Sequence, residues 1–168
     1  MAAMIDRAAG PPPAPGALRG DWRAQLGTWA QLMFAVFSGH RWLLEVAVGP
    51  RVMGPNELGW LDRAIAALEG TGLTGPERVD AVVVLIGHVR LIAAQAAASP
   101  SQPPVGRQRF LAPMRGVLRA YGDRYPAVAA ALASSGRDAA DGNALQFGLD
   151  CLLDGLAVLI RKRAGTDS

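Results

Sequence analysis

Cysteine, lysine and histidine are nearly missing from these 168 residues. The single cysteine, Cys151, excludes a disulfide framework and a cysteine-based zinc site within one chain, and it fits a reducing, cytoplasmic setting. His40, His88 and Cys151 lie on separate segments. There is no Ser/His/Asp constellation, HExxH motif or phosphate loop. The sequence therefore predicts no catalytic residue, metal site or cofactor, and an enzyme is not indicated. Asp150 and Asp154 stand one turn apart near the C-terminus, but without a nearby histidine they are expected to face solvent or a basic partner. Runs of one charge sign are also absent, apart from Arg161-Lys162-Arg163 in the last turn of a helix, where cations suit the dipole. With a net charge of +3 and scattered arginines, charge alone does not point to nucleic acid.

Two further absences bear on location and fold. Met1 to Gly20 shows no signal-peptide core and is broken by Pro11, Pro12, Pro13 and Pro15. The longest apolar stretch, Val79–Ala98, has about membrane length but carries Asp80, His88, Arg90 and Gln95, which argues against a spanning helix. Alternating Val/Ile runs are missing, while Ala/Leu/Val segments of helical period abound, so the fold is expected to be all-α.

The most informative stretch that is present runs from Asn143 to Ile160. Leu145, Leu149, Leu152, Leu156 and Leu159 recur at steps of four and three, one stripe of a helix. Beside them lie Ala144, Gly148, Cys151 and Gly155, all small. Glycine inside a helix costs about 1 kcal/mol relative to alanine, so two on one face suggest a close neighbouring backbone. That neighbour is either the chain's own core or a second copy of the chain.

Upstream, residues 1–20 are Pro/Ala/Gly-rich and read as a disordered or extended tail. A first helix opens at Asp21, a good N-cap, with Trp22, Leu26, Trp29, Met33, Val36 and Phe37 on its apolar stripe, and ends at Ser38-Gly39. A short helix follows over His40–Val48, with Trp42, Leu43 and Val46 facing in and Gly49-Pro50 as its stop. Another begins at Gly54-Pro55-Asn56, where proline is well placed, with Leu58, Leu61, Ile65 and Leu68 as its buried face. Thr74 with Glu77 forms a capping-box pattern for a helix to about Ala98, apolar nearly all round and therefore expected to be central. A loop over Ser99–Gly106 precedes a helix over Phe110–Tyr121, with Leu111, Met114, Val117 and Leu118 inward and Arg115 and Arg119 outward. A short helix from Tyr125-Pro126 to about Leu132 and a loop over Ser134–Gly142 lead into the last helix.

Taken in order, Gly54-Pro55-Asn56-Glu57-Leu58, Gly72-Leu73-Thr74, the long apolar helix, Tyr125-Pro126, Phe147-Gly148-Leu149-Asp150 and Leu153-Asp154-Gly155-Leu156 resemble the C-terminal domain of the tetracycline-repressor (TetR) family of transcription regulators. The resemblance covers roughly Asp21 to Arg163. It implies a regulatory domain over residues 21–163, followed by a flexible tail over 164–168. Such a domain is a multi-helix, ligand-binding fold that homodimerises through a four-helix bundle, here built from Val79–Ala98 and Asn143–Ile160. The family's N-terminal helix-turn-helix has no counterpart before Asp21, so these residues are not expected to bind operator DNA by themselves, nor a membrane.

If the resemblance holds, a small, largely apolar effector would sit between the first helix, the Pro55 helix and the Val79–Ala98 helix, since pockets are mostly apolar with a few placed polar groups. Trp29, Phe34, Phe37 and Trp60 are candidate walls. His40 and, on the central helix, His88, Arg90 and Gln95 are candidate polar contacts, with a dimer contact or an acidic partner as the alternatives for Arg90; Val84 and Leu91 share the face of His88 and Gln95. His88 and Gln95 are seven residues apart, two turns or roughly 10 Å. The alternative for the aromatics is plain core, and for His88 a satisfied structural histidine. Arg90, Gly148, Cys151, Leu152, Gly155 and Leu159 are the expected dimer contacts. A ligand-free helical interaction module, pairing with related regulators, is the competing function; a small helical enzyme is a third, weaker one.

Overall fold

The computed structural model describes residues 2–46, 52–98, 107–134 and 144–165, without the side chains of 107–113, 132 and 134. The described residues form eight α-helices and no strand: α1 (Ala2–Ala9), α2 (Trp22–Gly39), α3 (Leu43–Val46), α4 (Pro55–Ala66), α5 (Gly75–Ala97), α6 (Arg107–Tyr121), α7 (Pro126–Ser134) and α8 (Ala144–Ala164), with a 3-10 turn at Gly122–Arg124. The expected loop Ser99–Gly106, residues 135–142 of the loop before α8, the Gly49-Pro50 stop and residues 166–168 of the tail lie outside the described residues.

Helix starts follow local chemistry. Asp21 caps α2 by accepting the Ala24 N–H at 2.9 Å. Thr74 and Glu77 close a reciprocal capping box on α5: the Glu77 carboxylate accepts the Thr74 N–H at 2.9 Å and Thr74 Oγ1 accepts the Glu77 N–H at 3.4 Å. The same carboxylate also receives the Arg163 guanidinium of α8, which latches the start of α5 to the end of α8. A second ion pair, Arg23 to Asp154 at 2.8 Å, joins α2 to α8.

The N-terminal segment, expected as a disordered or extended tail, is folded over residues 2–9 and docked on α4. Ile5 is buried and Ala8 and Ala9 pack on the core. The N-cap of α4 is Gly54, which has no side chain to offer, and the Asp6 carboxylate takes that role from another helix. Asp6 Oδ1 accepts the Glu57 N–H at 3.0 Å, and Asn56 Nδ2 donates to Asp6 Oδ2 at 3.2 Å and to the Asp6 carbonyl at 3.1 Å. Any side chain at 54 would overlap the Asp6 carboxyl group. Gly10, at φ +66, ends α1, with its N–H on the Asp6 carbonyl. The prolines then lie across α4. Pro12 covers Gly59, where a methyl group would come to 2.7 Å of its Cγ, and the Pro13 carbonyl accepts from Arg63 Nε at 3.2 Å. Prolines suit such a strap because they present carbonyls without N–H groups that need partners.

Four buried faces differ from those expected. On α4, Leu58 is 52% exposed, Leu61 and Ile65 are half-buried, and Trp60 and Ala64 are buried, with Ala67 and Leu68 just beyond. The larger indole, with a partner for its N–H, takes the interior in place of Leu58. On α8 the buried set is Leu145, Leu149 and Leu153, while Leu152, Leu156 and Leu159 are half-buried beside it. On α3, Leu43 is buried but Trp42 is exposed. Among α6, the 3-10 turn and α7, which pack on one another, no described side chain is buried. Met114 and Leu118 are half-buried, and Val117, expected inward, is exposed.

Helix α5 packs against α2, α8, α4 and α3 through Val82, Leu85, Val89, Ile92 and Ala93. It is long and apolar enough to cross a membrane by length and composition, yet only 28% of that stretch is buried inside the chain. Val79, Val83, Val84 and Leu91 stand exposed.

Asp6→Ala is expected to cost about 0.5–2 kcal/mol, the usual loss on removing a cap, and to lower Tm by about 2–4 °C per kcal/mol in a thermal melt. Glu77 is pulled from its ordinary 4.5 down to about 2, first by the Arg163 guanidinium and then by the backbone and hydroxyl of Thr74. A depressed carboxylate contributes stability fully above its ordinary value and loses it as pH falls towards about 2. Denaturant midpoints measured from pH 5 down to 2 are therefore expected to fall less steeply in Glu77→Gln than in the unmodified chain, and added salt should narrow the difference because the pair is partly open to solvent.

Candidate functional site

The aromatic residues expected to wall a pocket are close-packed. Trp29 is 1% exposed; its Nε1–H donates to the Trp60 carbonyl at 2.9 Å, and the two indoles meet edge to face with centroids 6.4 Å apart. The Trp60 Nε1–H reaches the carbonyls of Ala9 at 3.2 Å and Gly10 at 3.1 Å. Phe37 is buried in the same core and Phe34 lies half-buried against it. His40 is not brought to this group. It ends α2, exposed, with Nδ1 at 3.3 Å from the Val36 carbonyl.

The polar residues of α5 part company. His88 turns towards α8, where its Nε2 lies 3.0 Å from the Leu145 carbonyl. A carbonyl only accepts, so Nε2 carries the proton of that bond. Gln95 is exposed, as are Val84 and Leu91, so of the four residues predicted to share a helix face only His88 turns inward. Arg90, expected at a dimer interface, reaches inward along the chain: its Nη2 donates to the Leu44 carbonyl at 2.7 Å and holds α3 against α5.

The small-residue stripe of α8 divides. The space above Gly148 is filled by the imidazole of His88 from the same chain, which an added methyl group would overlap. Around Gly155 such a group would meet nothing within 4 Å, and Cys151 is exposed. Leu152 and Leu159 are half-buried on the core side. The open part of α8 thus comprises Cys151, Gly155, Val158 and Phe147, the last 74% exposed. Asp154 is paired with Arg23, and Asp150 accepts from Gln146 Nε2 at 2.9 Å. No group of three or more His, Cys, Asp or Glu suited to a metal occurs among the described residues.

One depression escaped the sequence reading. An open hollow of about 610 Å³ lies where α1 meets the start of α4, lined by Ala2, Arg7, Pro11, Val52, Met53 and Asn56 among others. Its signal was the spacing of Ile5, Ala8 and Ala9, which puts an apolar stripe on a segment whose prolines begin only at Pro11.

Comparison with known proteins gives these features a setting. Residues 13–160 match the tetracyclin repressor-like C-terminal domain, so α1 precedes the matched span. The chain is 31% identical over 169 residues to the HTH-type transcriptional repressor DrrR1 of Streptomyces coeruleorubidus, an alignment that takes in 96% of this chain and 62% of that repressor. The all-α architecture, the capped α5 and the match across α2 to α8 agree, and the chain belongs to the tetracycline-repressor (TetR) family as a C-terminal regulatory domain.

Proposed function

We propose that these residues bind a small, largely apolar effector and dimerise on behalf of a cytoplasmic transcription regulator, without themselves recognising DNA. The observation that carries the dimer part is the open apolar face of α5 and α8, on which Val83, Val84, Leu91, Phe147 and Val158 stand exposed. Contiguous exposed apolar surface of this kind marks an interaction site. A four-helix bundle made with a second copy buries it, and Cys151 and Gly155 are small enough to let the partner helix approach. For the effector, family membership and the apolar interior between α2, α4 and α5 are the support, with half-buried Phe34 at its border.

The ligand-free interaction module keeps one observation in its favour. Trp29, Trp60 and His88, all candidate effector contacts, already have partners inside the chain. A thermal-shift screen with apolar aromatic compounds separates the two readings: a saturable rise in Tm, with altered tryptophan emission, is expected for an effector domain, and no rise across the panel favours the module.

For the dimer, sedimentation at micromolar concentration is expected to give twice the chain mass, and a monomer overturns the reading. Gly155→Phe is expected to weaken the dimer by about 1–3 kcal/mol through overpacking, while leaving the monomer folded because the site opens outward. Contact with DNA is expected to be sequence-blind and lost in moderate salt, since only scattered arginines and the Arg161-Lys162-Arg163 turn are available for phosphates. A gel shift that survives competitor DNA would contradict this.

A further inference from the structure

We infer that His88 and Gly148 form a lock that sets how α5 lies against α8, and thereby the surface the two helices present to a second copy; this rests on the dimer reading above. The contact is specific in two ways. The His88 Nε2–H donates to the Leu145 carbonyl at 3.0 Å, and the Leu145 side chain is itself anchored in the core. The ring then lies over Gly148, where a Cβ would overlap Cε1 and Nε2 and come to 2.9 Å of Nδ1. Because the hydrogen bond fixes the ring, it cannot swing aside for a larger residue at 148 without giving up that bond. Glycine in mid-helix, a costly choice by propensity, is thereby accounted for inside the chain.

The position of the lock gives it a role beyond packing. On α5, His88 stands between the core residues Leu85 and Val89 and the open residues Val84 and Leu91, which are 54% and 56% exposed. On α8, Gly148 stands between the core residues Leu145 and Leu149 and the outward Phe147. The lock therefore fixes the level of the exposed Phe147 on α8 relative to the exposed Val84 and Leu91 on α5. In an isologous interface each helix pair meets its own copy, so a shift of α8 along α5 is felt twice. His88 is on this account a positioning residue for dimerisation and not an effector contact.

The test uses the full chain and four variants: Gly148→Ala, His88→Ala, His88→Gln and the double His88→Ala/Gly148→Ala. Dimer dissociation constants come from sedimentation velocity over a dilution series, alongside thermal melts. The lock predicts a dimeric unmodified chain and a dimer at least tenfold weaker in both Gly148→Ala and His88→Ala. It also predicts partial recovery in His88→Gln, which keeps an N–H donor, and tighter dimerisation in the double variant than in Gly148→Ala alone. If Gly148→Ala fails to fold, the two His88 variants decide. Variants that lower Tm but leave the dissociation constant unchanged overturn the lock while sparing the dimer. A monomeric unmodified chain overturns the dimer reading, and the lock with it.

Discussion

Two buried indoles hold much of this fold in place, because each N–H must find an acceptor once water is excluded. Trp29 of α2 satisfies its own on the backbone of α4, at the carbonyl of Trp60. Trp60 in turn satisfies its N–H on the end of α1, at Ala9 and Gly10. Three helices are thus tied in series by side chains whose apolar bodies fill the space between them. The same requirement explains why residues 2–13 lie down on α4: without their carbonyls the Trp60 N–H has no partner, and without Asp6 the Glu57 N–H at the start of α4 loses its side-chain acceptor. Prolines complete the arrangement by supplying acceptors while adding no donors.

Helix α5 has a different problem, since its apolar residues go nearly all the way round while the described residues pack on only part of it. The covered side carries Val82, Leu85, Val89 and Ile92, and its polar residues serve neighbouring helices: Arg90 holds α3, His88 holds α8, and Glu77 receives Arg163 from the end of α8. Polar groups that look like the floor of a pocket when read along one helix are, in space, the ties that fix that helix among its neighbours. The other side, with Val83, Val84 and Leu91, stands exposed.

The sequence by itself determined what depends on neighbours a few residues away. The all-α class follows from apolar spacing, the start of α2 from Asp21, the start of α5 from the Thr74/Glu77 box, and the start of α4 from Pro55, since each cap or period is satisfied within a turn or two. The ordered series of motifs from Gly54 to Leu156 was enough to identify the regulatory domain, because that order is a property of the chain. Only the tertiary structure decided which member of each apolar stripe went inside. Trp60 displaced Leu58 because its bulk and its N–H found partners on other helices, and on α8 it was Leu153, not Leu152, that was fully buried beside Leu145 and Leu149. Residues 1–13 read as a tail because their partners, Gly54, Asn56, Trp60 and Arg63, lie some fifty positions away. For the same reason Gly148 was legible as a place of close approach, but that the approaching group is the imidazole of His88 was not: periodicity records that a face is narrow, and only the packed chain shows what fills it.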